Sequence, residues 1–222
     1  MRRPGTLLAI GLLLAAVTCA AQDTNRGRIE VSGGIRWVAA VKLANVAALE
    51  SKPGGGTLAL FESSTRLDRS VGGTTTLGVR LSRMLRAELA FAYNPTGVSS
   101  RVSSDTEGVA DLTVGEPVTQ LLLEGGILAQ PRRWQSARVR PFMTSGVGYL
   151  RQLNDGRTFV QSGQSAYVGG GLYYVRATAR PGRLKATGVR ADVRARFLRG
   201  GVAPDHSVRV APAVTATVFA RF

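Results

Sequence analysis

Thiol and imidazole side chains are almost missing from this chain. Its one cysteine, Cys19, lies near the start and its one histidine, His206, near the end, which excludes a disulfide framework and any Cys/His metal cluster. Lysine is scarce as well, three residues against twenty-six arginines. No apolar run reaches the roughly 20 residues a spanning helix needs; the run from Leu7 to Val17 stops at eleven. The basic residues form no polybasic tract and no aromatic reading platform accompanies them, so the formal charge of +15 does not point to nucleic acid. The Gly triplets at 54–56 and 169–171 are followed by no helical pattern, which excludes a phosphate loop. No residue set implies a cofactor or a metal.

What is present begins with an export signal. Arg2 and Arg3 precede the apolar run, and small residues, "TCAAQ", follow it. This layout predicts a signal peptide over 1–21, cleaved before Ala21 or Gln22, and one mature domain over 22–222. Cys19 raises a lipidated boundary cysteine as the alternative, although "AVT" before it lacks the usual leucine of a lipid-attachment motif.

The mature chain is organised by period two. In "RIEVSGGIRWVAAVKL" Ile29, Val31, Ile35, Trp37, Ala39, Val41 and Leu43 alternate with Glu30, Ser32, Gly34, Arg36 and Lys42. In "TGVRADVRARF" Val189, Val193 and Phe197 face one way and Arg190, Asp192, Arg194 and Arg196 the other. Such alternation predicts strands. Eight runs carry it, over 28–43, 65–81, 87–102, 108–129, 137–153, 158–176, 184–199 and 207–222. The fourth is the least regular, because Pro117 and "EGG" interrupt it. Connections alternate between compact ones, 82–86, 130–136 and 177–183, and longer ones, above all a predicted loop over 44–64.

Strands of soluble folds average 5 to 6 residues, whereas a tilted strand crossing a bilayer takes about 9 to 11. These runs are long, and their polar faces mix small residues with Arg and Glu, which suits a crowded lumen. The expected fold is therefore all-β, an eight-stranded antiparallel up-and-down transmembrane barrel with both ends on the short-turn side. A thin aromatic girdle follows, with Trp134, Tyr174 and Phe222 at one rim and Tyr93, Tyr149 and Phe197 toward the other. A soluble sandwich or lipocalin-like barrel is the competing fold.

The ending "VTATVFARF", with Val218, Ala220 and Phe222 on one face, resembles the carboxy-terminal strand of bacterial outer-membrane barrels. "LGVRLSRMLRAELAFAYNP" and "VRPFMTSGVGYLR" resemble strand-turn-strand units of the small barrels grouped with the OmpA-like transmembrane domain. The resemblance implies recognition of Phe222 by the barrel-assembly machinery, periplasmic termini and insertion into the outer membrane of a Gram-negative-type cell. It implies no one activity, since that group spans anchors, adhesins, small pores and lipid-modifying enzymes.

An arginine facing lipid at mid-depth costs about 2 to 4 kcal/mol. Glu30, Arg36, Glu88, Glu124, Arg138, Arg140, Arg190, Asp192, Arg194 and Arg196 are therefore expected in the lumen, with Lys42, Arg80, Arg209 and Arg221. Paired there, they make a plugged, structural interior; left in excess, the arginines make a small anion-leaning channel, the alternative reading. Asp205, His206 and Ser207 are the one catalytic candidate, but adjacent strand residues point to opposite faces, so an enzyme is not expected. Gly169 to Gly171 are expected to relieve crowding where a bulky side chain crosses the lumen. Arg69, Arg101, Arg151 and Arg157 sit near the long loops, where they are either solvated as ordinary loop charges or in contact with phosphates of outer-membrane lipid and lipopolysaccharide. No extracellular ligand is identified by any of these residues.

Overall fold

The computed structural model describes residues 27–51, 57–103, 111–131, 133, 136, 138–154, 160–177, 184–201 and 207–222. Ten strands run through them: β1 (Ile29–Val38), β2 (Val41–Ser51), β3 (Thr57–Leu67), β4 (Ser70–Arg80), β5 (Leu85–Ser103), β6 (Leu112–Ala129), β7 (Val139–Asn154), β8 (Val160–Ala177), β9 (Ala186–Gly200) and β10 (Arg209–Arg221). Every pairing is antiparallel, and β1, β4, β5, β6, β7, β8, β9 and β10 form a closed ring of eight. Closure is made by β1 against β10, from Glu30 opposite Arg221 to Val38 opposite Ala213. An unpaired edge in hydrocarbon would leave backbone groups unsatisfied at several kcal/mol each, and this seam removes it.

Each strand of the ring keeps one phase. On β10, Ala211, Ala213, Thr215, Thr217, Phe219 and Arg221 are buried while Val210, Val214 and Val218 are exposed, as is Phe222 just after the strand. On β9, Arg190, Asp192, Arg194 and Arg196 are buried while Val189, Val193 and Phe197 are exposed. The exposed side is thus apolar and the buried side charged, the reverse of a water-soluble barrel. Trp37, Tyr93, Tyr149 and Phe197 lie toward the long-loop end of this belt, and Tyr174 and Phe222 at the short-turn end. Trp134 lies outside the described residues.

Two sequence expectations change here. The predicted 44–64 loop is largely strand: β2 and β3 pair from Val41 opposite Leu67 to Ser51 opposite Thr57, and β3 adds to the upper part of β5. These two strands prolong β1 and β4 beyond the barrel. The second change is one of phase. Inward Val38 and inward Val41 are three residues apart, as are inward Leu67 and inward Ser70, so the faces exchange at Ala39–Ala40 and at Asp68–Arg69. Lys42, expected in the lumen, is therefore exposed, and Val41 and Leu43 point inside.

The exchange follows the change of solvent. Above the break, the outward residues Lys42, Ser64, Arg66 and Arg101 suit water, while Val41, Leu43, Leu67, Ala211 and Ala213 pack around Val38 into an inner apolar cluster. Asp68 ties the break to β5: its carboxylate accepts from Ser99 Oγ (2.5 Å) and Arg66 Nε (3.1 Å), and its carbonyl accepts from Thr96 Oγ1 (2.8 Å). Pro117 does not interrupt β6, because it pairs with Gly97 just above Val118, where the ladder to β7 stops among the described residues. There β6 is an edge strand, and an edge tolerates proline.

Candidate functional site: the charged lumen

The inward faces of six ring strands assemble one ionic network. Near the short-turn end, Glu30 of β1 accepts from Arg86 Nη1 (2.5 Å), Arg221 Nε (2.6 Å) and the Tyr173 hydroxyl (2.8 Å). Above it, Arg190 donates two parallel bonds to Glu88 (2.7 and 3.1 Å) and a third to Asp192 (3.2 Å). Asp192 also accepts from Arg194 (2.6 Å), and Glu124 accepts from Arg196 (2.7 Å) and Arg194 (3.4 Å). Partners such as Arg190 and Glu88 stand 102 residues apart in sequence. Charge-assisted and bidentate bonds of this kind are the stronger ones.

Aromatic rings complete the packing. Tyr173 is fully buried; its oxygen receives Arg86 (3.1 Å) and Arg190 (3.0 Å) while donating to Glu30, so it links the first two clusters. Phe142 and Phe219 flank its ring at 5.0 and 5.1 Å. The guanidinium of Arg190 sits 4.5 Å over Phe142, that of Arg194 4.7 Å over Tyr167 and that of Arg221 4.8 Å over Phe219, distances at which the ring face attracts a cation. Space for these rings is made by glycine. A Cβ at Gly171 would stand 2.7 Å from the Phe142 ring, and one at Gly146 would stand 2.8 Å from the Tyr167 ring.

Toward the long-loop end the lumen turns apolar again. Ala92, Leu122 and Leu150 form a second cluster below the one around Val38, and half-buried Leu198 packs against both. Arg209 donates to the Lys42 carbonyl (3.2 Å) and to the Leu43 carbonyl, fastening β10 to β2 across the top. The cavity left among Val41, Leu43, Leu67, Leu150 and Leu198 is about 20 Å³, room for one water.

The structure gathers Glu30, Arg36, Glu88, Glu124, Arg190, Asp192, Arg194, Arg196 and Arg221 in the interior. It does not bring Arg138 there: that side chain is exposed beside the start of β7, while Arg80 and Arg140 are half-buried at the short-turn mouth and Arg209 is half-buried at the other end. Arg86, Tyr167 and Tyr173 were not singled out from the sequence. Arg86 shares the phase of Glu88 and was hidden because β5 starts at Leu85, inside the expected turn; Tyr167 and Tyr173 share the phase of Gly169 and Gly171. Val218 and Phe222 are exposed on the lipid side of β10 and Ala220 is half-buried beside them. Ser207 is exposed, and Asp205, His206, Arg157 and Cys19 lie outside the described residues. Among the described residues no three His, Cys, Asp or Glu side chains are grouped to hold a metal.

A closed ring of eight antiparallel strands, apolar outside and ionic inside, with β1 beginning and β10 ending on the short-turn side, is the fold of the small outer-membrane β-barrels. No family model matches the chain, and no curated protein matches it. Among solved structures it is similar to the outer membrane protein OprG from Pseudomonas aeruginosa, with 13% identity and a TM-score of 0.52 over 89% of this chain and 97% of that one. It is similar also to Neisserial surface protein A, with 12% identity and a TM-score of 0.52 over 87% of this chain and 97% of that one. At such identities the likeness is one of fold.

Proposed function

We propose that this protein is a non-enzymatic barrel, integral to the outer membrane after removal of its signal peptide, with a structural or interaction role and an interior filled by its own side chains. One observation carries the reading: the bonded carboxylates Glu30, Glu88, Asp192 and Glu124 and their arginines occupy the lumen beneath an apolar cap. An eight-stranded ring leaves an interior that side chains just fill, which supports a barrel that does not conduct. The outward placement of Val218 and Phe222 suits recognition of the last strand by the barrel-assembly machinery. Exposed Arg69, Arg101 and Arg151 at the long-loop end suit contact with lipopolysaccharide phosphates.

A small anion-leaning channel is the second reading, favoured by one imbalance: six arginines and four carboxylates are buried among the described residues. Planar-bilayer recording of the refolded mature chain separates the two. Electrical silence supports the filled barrel; steady anion-selective steps would overturn it in favour of the channel.

A further inference from the structure

The short-turn mouth gathers cationic side chains. A cavity of about 300 Å³ opens there, lined by Arg80, Arg83, Arg86, Arg140, Lys185 and Arg221 and by no carboxylate among the described residues. Arg86 and Arg221 are more than nine-tenths buried and share a single carboxylate, Glu30. After that pairing, Arg86 Nε and Arg221 Nη2 remain buried without a hydrogen-bond partner. Buried donors left in this state cost about 1 to 3 kcal/mol each, so both guanidinium groups keep hydrogen-bonding capacity beside the cavity.

The surroundings carry the same sign. Among the described residues, the three short-turn segments within 80–87, 129–141 and 176–189 hold eight Lys or Arg and no Asp or Glu. Five described acidic residues, Glu50, Glu62, Asp68, Asp111 and Glu116, lie instead toward the opposite end. The barrel is thus polarised along its axis, and the field in the half-enclosed mouth attracts anions.

We propose that this mouth binds a phosphate-bearing ligand. Guanidinium forks match phosphate oxygens bidentately, the cavity admits one phosphate or a diphosphate, and the cations enter from several strands and turns, which favours a compact polyvalent anion over a single carboxylate. The phosphate can come from a lipid headgroup of the adjoining leaflet or from a soluble ion, and the site does not depend on whether the lumen conducts.

The test uses Arg83→Gln combined with Lys185→Gln, both exposed at the rim of the cavity, with unchanged heat-modifiable gel migration as the check on folding. The folded mature chain in neutral detergent micelles is titrated with sodium pyrophosphate and, separately, with phosphatidylglycerol doped into the micelles. Binding of either probe that weakens about tenfold in the double variant supports the site. Pyrophosphate alone saturating it assigns a soluble anion; phosphatidylglycerol binding that pyrophosphate does not displace assigns the lipid. Failure of both probes to bind, or equal affinity of parent and variant, overturns the proposal.

Discussion

Replacing Glu30 by glutamine removes one charge and almost no volume at the point where the seam strands β1 and β10 meet the lumen. Two guanidinium groups, of Arg86 at 2.5 Å and Arg221 at 2.6 Å, then lose the carboxylate they share. With charge centres about 4 Å apart and an effective dielectric constant of about 20, each contact is worth about 4 kcal/mol gross. Desolvation of the carboxylate offsets part of this, and breaking a buried pair from one side typically costs about 3 to 5 kcal/mol net. The amide can still accept from Tyr173, so the loss is mainly that of charge. Urea unfolding of the refolded chain in micelles, followed by tryptophan emission and heat-modifiable migration, should show Glu30→Gln destabilised by that amount. Adding Arg86→Gln should recover part of the loss, because one of the two stranded charges is gone. A Glu30→Gln midpoint within about 0.5 kcal/mol of the parent, the scatter of ordinary surface substitutions, would mean that water reaches these groups and that the lumen is not packed.

Tyr173→Phe should cost about 1 to 3 kcal/mol in the same assay, since a hydroxyl serving Glu30, Arg86 and Arg190 is deleted and their atoms stay buried. Val193→Arg, exposed in the middle of the belt opposite Val214, should lower refolding yield into lipid vesicles and destabilise by about 2 to 4 kcal/mol. The same change in a water-exposed barrel would be nearly neutral.

The class of fold was legible in the residues because lipid and lumen impose opposite solvents on alternate positions. From Val189 to Phe197, or from Val210 to Phe222, a one-residue slip would move every arginine into hydrocarbon, so the phase is forced locally. The inward placement of Glu30, Glu88, Glu124, Asp192 and Arg190 follows from that phase. Where the solvent argument weakens, so does the reading. Trp37, Val38, Ala39, Ala40 and Val41 are apolar in succession, and period two cannot choose between faces across such a run; Lys42 was misplaced for this reason.

The amino-acid sequence by itself determined a strand-built, eight-membered, inside-out barrel, since period and polarity are local properties of the chain. Only the tertiary structure decided that β2 and β3 prolong the wall with exchanged faces, that Glu30 joins Arg86 to Arg221 and that Glu88 meets Arg190. Those contacts depend on how far each strand is staggered against its neighbours around the closed ring, a quantity to which no single segment has access.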